Sequence, residues 1–334
     1  MSTKPGIASL ENEMSKGVKI NWVTLWDSIN PYVIIIGISL FAVYAAIVQP
    51  EFASGQNLQN IVRQFGALSL TAIGMTFVII AGFIDLSIVG MFSLVSVTMV
   101  TLVPIVGEVP AMLIGILFST LLGFFDGMVL SFVGAKDDAD AVFVTFGMST
   151  IFFSLALMLS QGSTIRLPIG SSVSLFIGSH QFFYLPISFY IFLVVMTITH
   201  IFLMKTKTGR EIRLTGGNRV AAKLAGISSV KSTLISFSLL GLTVALGAII
   251  QFSRTTSAGP IIGAGFEVNS ILAVVIGGTR LKGGEGSVIR TFIGVLLVVV
   301  MANAMNMIGV PTKMQDIVKG AILMLAIWLD YRRK

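Results

Sequence analysis

Residues 183–252 read FYLPISFYIFLVVMTITHIFLMKTKTGREIRLTGGNRVAAKLAGISSVKSTLISFSLLGLTVALGAIIQF. An apolar run over 183–204 is followed by a loop whose Lys and Arg are Lys205, Lys207, Arg210, Arg213, Arg219, Lys223 and Lys231, and then by a second apolar run over 232–252. Each run is about 20 residues, the length at which a helix crosses the hydrocarbon core of a bilayer. Basic loops between such helices stay in the cytoplasm. This stretch therefore predicts two membrane crossings joined on the cytoplasmic side.

The same pattern continues in both directions. Upstream lie apolar segments near 30–50, 66–83, 86–106, 109–134 and 143–160; downstream lie 265–279, 288–309 and 314–330. Hydrophobic types make up 55% of the 334 residues and charged types 11%, with a mean hydropathy of +0.94. A soluble surface needs about 25% charged residues, so this chain faces lipid. The expected fold is all-α, a polytopic membrane protein of about ten transmembrane helices. The division is a polar N-terminal tail over 1–29, a transmembrane helical domain over 30–330 containing the 205–231 loop, and a tail over 331–334. Segment 265–279 is short for a span and carries Gly265, Glu267, Asn269, Gly277 and Gly278. It is read as a short helix inside the bundle or a re-entrant segment, near the transport pathway in either case.

Six crossings before the basic loop and four after it place both termini and that loop in the cytoplasm of an inner (plasma) membrane. Of the 22 Lys and Arg, all but Arg63, Arg166, Arg254, Lys313 and Lys319 then lie on the cytoplasmic side. The net charge of +7 is a product of topology, with no nucleic acid implied. Cysteine is absent, which removes disulfides, thiolate metal sites and Cys nucleophiles. His180 and His200 have no companion ligands, so no metal and no cofactor are expected, and no catalytic cluster is visible. The glycine-rich run 277–286 lacks the Walker pattern and reads as a turn.

Within the basic loop, Asn218 is a good helix N-cap and Gly226 a good stop, leaving about two turns between them. Val220, Ala221, Leu224 and Ile227 share one side of those turns. A helix that short is marginal alone and needs a surface to rest on: a partner, the bilayer or its own bundle. Asp85, before the apolar run 86–106, reads first as a cap for that run and second as an intramembrane functional carboxylate. Asn303 and Asn306 lie one turn apart and could present amides to solute hydroxyls, whereas most other polar residues within the helices read as packing glue, Gln251 included.

The string TGREIRLTGGNRVAAKLAGI (208–227) resembles the cytoplasmic coupling segment of the ribose-type sugar permeases of ATP-binding-cassette importers. AIGMTFVIIAGFIDLSIVG (72–90) and the stretch 257–287 resemble two further signatures of that family, in order and spacing along nearly the whole chain. Phe83 and Asp126 stand where the family has Gly and Asn. The resemblance implies a non-catalytic permease subunit that pairs with a second permease chain, ABC ATPase subunits and an extracytoplasmic solute-binding protein. Its cargo would be a small sugar or sugar-like solute, with an ion-coupled carrier or a permease for branched-chain amino acids or nucleosides as alternatives. Gly216, Gly217, Asn218, Ala221, Ala222, Leu224 and Gly226 would then couple to the ATPase. Asp85, Glu267, Asn269, Asn303 and Asn306 are the pathway candidates.

Overall fold

The computed structural model describes residues 33–134 and 138–332; the tail 1–29, Arg333 and Lys334 lie outside the described residues. The chain is an all-α polytopic membrane protein. Its helices are α1 (Val33–Val48), α2 (Gly55–Ile80), α3 (Ile88–Val106), α4 (Glu108–Val133), α5 (Asp138–Leu159), α6 (Ser172–Ser179) and α7 (Ile187–Lys205). They continue as α8 (Lys207–Gly217), α9 (Arg219–Leu224), α10 (Ser229–Thr255), α11 (Phe266–Ile276), α12 (Val288–Met307) and α13 (Thr312–Arg332). Ten of these coincide with the ten apolar segments; α6, α8 and α9 are additional short helices. Among the described residues seven helices are long and apolar enough to cross a bilayer, and α1 and α11 are shorter apolar ones.

Burial separates an inner from an outer layer. The most apolar window of α2 is 89% buried, whereas those of α5 and α7 are 22% buried. Leu113, Leu117 and Leu121 of α4 point outward, exposed by more than half. In water such a surface would be untenable; against lipid tails it is the expected solution. α10 lies in the centre, packed along α4 and α2. Its crossing with α4 runs through Gly123 and Gly241, where a Cβ would strike the carbonyl oxygens of Phe237 and Ser119 respectively. Ser119 Oγ donates to the Gly241 carbonyl at 2.6 Å, the kind of close, small-residue contact that holds helices together in lipid.

Segment 265–279 turns out to be part loop and part helix. Ser257–Ala258 pairs with Ile165–Arg166, turns follow through Gly265, and α11 then runs 11 residues before the Gly277-Gly278 turn. Eleven residues rise about 16 Å, half of a bilayer core of about 30 Å. Residues Ser270 to Ile276 are all buried, so the helical half is enclosed by protein. The chain leaves this segment beside Ile80 and Gly216, at the opposite end of the bundle from Ser257, so it traverses rather than re-enters.

α2 differs from the expected 66–83 segment. It begins at Gly55, capped by Ser54 Oγ, which accepts the Asn57 N–H at 3.2 Å. Its first turns carry Gln56, Asn57, Gln59, Asn60, Arg63 and Gln64, residues that an apolar-run reading excludes. Gln56, Asn57, Asn60, Arg63 and Gln64 line a polar cavity at this end of the bundle, and Gln59 accepts from Gln181 at 3.2 Å.

Candidate functional site

Two sites occupy opposite ends of α2, a rod of 26 residues and about 39 Å. At the end bearing the basic loop, α8 starts where Thr206 Oγ1 accepts the Gly209 N–H at 3.0 Å. The buried Ile212 and Thr215 anchor α8, with Thr215 and Ser232 hydroxyls 3.1 Å apart. Asn218 Oδ1 accepts the Ala221 N–H at 3.0 Å and starts α9. At its other end the Gly226 N–H donates to the Lys223 carbonyl and the Ile227 N–H to the Ala222 carbonyl, at 3.0 and 2.9 Å. This paired closure requires a left-handed residue, and Gly226 supplies it with φ +77°.

The short helix therefore exists with both ends satisfied, and its faces differ. Val220 and Leu224 are 71% and 85% exposed, while Ala222 is 4% exposed. Ala222 thus seats the helix at the base of a groove of about 870 Å³, instead of presenting itself outward as its place among the coupling candidates implied. Gly217, Asn218 and Ala221 line that groove against Arg280, Gly284 and Asp330.

Behind the groove the backbone is locked. A Cβ on Gly216 would collide with the Ile80 carbonyl oxygen at the end of α2, and one on Gly283 would press on Gly216 and Gly82. The Gly284 N–H donates to the same Ile80 carbonyl at 2.8 Å. Arg219, in the first turn of α9, donates to the Gly82 carbonyl at 3.1 Å and lies over the Phe83 ring at 3.9 Å. Phe83 thus supplies a cation–π seat for the short helix. Arg213 adds a 2.7 Å bond to the Gly286 carbonyl.

Asp85 sits beside this lock, fully buried in the connection between α2 and α3. It does not cap α3 directly, because Ser87 holds the N-cap position. Asp85 lies two residues earlier and folds back, accepting the Ser87 N–H at 2.6 Å and the Ser87 hydroxyl at 2.9 Å. Ser87 Oγ also lies 2.8 Å from Asp126 Oδ2 of α4. One hydroxyl hydrogen cannot serve two carboxylates, so a carboxyl proton makes the second contact. Burial pushes the Asp85 carboxyl up to about 6, against the lowering effect of its two Ser87 hydrogen bonds. Asp85 therefore belongs to the connection between α2 and α3.

At the far end of α2 a polar cavity of about 610 Å³ opens, lined in part by Asn60, Arg63, Gln64, Arg254, Asn303 and Asn306. A smaller chamber of about 150 Å³ adjoins it through Gln64 and Arg254 and adds Gln251, Phe266 and Asn269. Phe266 is held by stacking on Phe92, ring centroids 4.3 Å apart. Asn269 Oδ1 is buried there with no partner among the described residues. Of the pathway candidates, the structure brings Asn269, Asn303 and Asn306 together at these cavities. Asn303 is largely committed, exchanging reciprocal amide bonds of 2.9 and 3.0 Å with Asn57, and Asn306 accepts from Gln315 at 2.7 Å. Glu267 lines neither cavity; its electrostatic neighbours are Asp316 and Lys319 of α13. Asn60, Arg63, Gln64, Gln251 and Arg254 were absent from the candidates. For Asn60, Arg63, Gln64 and Arg254 the signal was polarity at helical spacing just outside an apolar run, whereas Gln251 lies inside one.

The fold and its two ends define a polytopic membrane transport component. The chain belongs to the family described as branched-chain amino acid transport system / permease component, which it matches over residues 57–327. It is 31% identical to the ribose import permease protein RbsC of Bacillus subtilis, over 94% of this chain and 96% of that protein. It is 32% identical to RbsC of Escherichia coli K12, covering 90% and 93%, and 32% identical to the L-arabinose transport system permease protein AraH of the same strain, covering 93% and 92%. No solved structure matches the chain.

Proposed function

We propose that this chain is the membrane-spanning subunit of an ATP-binding-cassette importer, carrying a small sugar or sugar-like solute inward while separate ATPase subunits supply the energy. The observation that carries it is α9: a capped two-turn helix with Val220 and Leu224 outward and its back wired to the end of α2. Such a helix, docked in an ATPase cleft, would pass the closure of that partner into α2. Because α2 is a continuous buried rod, its far end, with Asn60, Arg63 and Gln64, would shift against α10 and α12. That movement opens or closes the solute cavity, which is alternating access driven from outside the chain.

The amide-rich chamber with Phe266 suits hydroxyls and a sugar face, in keeping with the ribose and arabinose permeases it resembles. A branched-chain amino acid would need a carboxylate for its ammonium group, and the lining of the inner chamber holds none among the described residues. The basic end and both termini face the cytoplasm, a second permease chain completes the pore, and an extracytoplasmic binding protein delivers solute to the far end. The test is uptake into vesicles containing the assembled transporter and ATP, with labelled D-ribose, D-ribonate and D-ribose 5-phosphate offered separately and uptake of any one of them counting. Uptake should require both the ATPase subunits and Leu224; uptake by this chain alone under an ion gradient would overturn the reading.

A further inference from the structure

The far cavity holds more positive charge than a neutral sugar requires. Arg63 enters it from the third turn of α2 and Arg254 from the last turn of α10, so two guanidinium groups from separate helices line one cavity. Neither forms an ion pair among the described residues; Arg254 reaches Gln251 Oε1 at 3.3 Å, and Arg63 Nε is buried without a partner. The one carboxylate among the lining residues, Glu51, lies exposed at the mouth.

Guanidinium groups between apolar helices are costly unless they face an oxyanion or a wet cavity. Two of them, brought from separate helices to the same wall, repel until an anion sits between them. Hydroxyl recognition is already provided by Asn60, Gln64, Gln251 and Asn269, so the arginines are surplus to a neutral polyol. The planar fork of Arg matches carboxylate and phosphate oxygens in paired hydrogen bonds, which an ammonium does not. The cavity is of small-molecule size.

Resting on the importer reading above, we infer that the cargo is a sugar-sized polyol bearing an oxyanion, gripped by Arg63 and Arg254 while the amides hold its hydroxyls. The carboxylate of a sugar acid and the phosphate of a sugar phosphate share this chemistry, and the probes below separate them.

The assembled wild-type transporter in lipid nanodiscs is treated with phenylglyoxal, and the modification rate of each arginine is followed by mass spectrometry. D-ribonate, D-ribose 5-phosphate and D-ribose are added separately at high millimolar concentration. Ribonate or ribose 5-phosphate should slow labelling of Arg63 and Arg254 by about fivefold or more, equivalent to about 1 kcal/mol. Ribose should not, and Arg280 at the opposite end should be unaffected throughout. Which anion protects better names the carboxylate or the phosphate. Equal protection by ribose, or protection by neither anion, overturns the inference. So does protection only by the unliganded binding protein, which would make the arginines a docking surface for acidic side chains. None of these outcomes depends on the ATPase, so the importer reading stands or falls separately by the uptake experiment.

Discussion

The two ends of α2 solve opposite problems with the same helix. At the basic end, backbone meets backbone: Gly216, Gly82 and Gly283 bring three connections into van der Waals contact, and Arg219 and Gly284 pin them by hydrogen bonds to Gly82 and Ile80. At the far end, side chains meet a cavity, and polar atoms of Arg63 and Asn269 are left without partners. The first end has no room to yield, which suits force transmission. The second has polar groups waiting for a ligand, which suits recognition. A rigid rod joining a lock to a polar cavity is what a subunit without its own energy source needs.

The contrast can be broken most severely at Gly216. Gly216→Val places side-chain carbon against the Ile80 carbonyl and should cost about 2–3 kcal/mol. Thermal unfolding in detergent should shift down, and ATP-driven uptake should be lost. Next is Leu224→Glu, at an 85% exposed position where folding is not at stake. Thermal stability should stay within about 0.5 kcal/mol, whereas association with the ATPase should weaken at least about tenfold in a pull-down titration. Equal loss of both would place Leu224 in the fold instead.

Arg219→Gln sharpens the comparison at intermediate strength. It removes the Phe83 contact and the bond to Gly82, at a cost of about 1 kcal/mol. If the lock transmits force, the ATPase should still bind while its hydrolysis no longer drives uptake. At the far end, Gln64→Ala should leave stability unchanged and lower the apparent affinity for solute, because Gln64 lines both the cavity and its inner chamber. The smallest effect is expected at Asp126. Asp126→Asn keeps a donor toward Ser87 Oγ and removes a buried carboxyl, so stability should hold or rise slightly; Asp126→Ala should lower it by about 1 kcal/mol.

Much of the fold was legible because lipid imposes a simple rule on sequence. Ten apolar segments became ten helices, and Asn218 and Gly226 marked the ends of α9 through cap chemistry that needs no tertiary context. What sequence concealed was polarity stabilised by the fold. The first turns of α2 look like a loop because Gln56, Asn57 and Arg63 break the apolar run; in the fold they are helical and line a cavity. α8 was hidden likewise, since Gly209, Gly216 and Gly217 argue against a helix until Ile212 and Thr215 are buried. Arg63 and Arg254 enter the sequence reading only as charges off the cytoplasmic side, because charge counting records the side of a residue and not its direction. Asp85 shows the same limit: its place before an apolar run suggested a helix cap, and packing drew it into a turn on Ser87.

The central claim, that a cytoplasmic partner engages α9, can be read from a single introduced thiol, since the chain has no cysteine of its own. Leu224→Cys should react with a membrane-impermeant maleimide in inside-out vesicles but not in intact cells, and the bound ATPase subunits should shield it. Reaction in intact cells, or labelling at the same rate with and without the ATPase, would contradict the account.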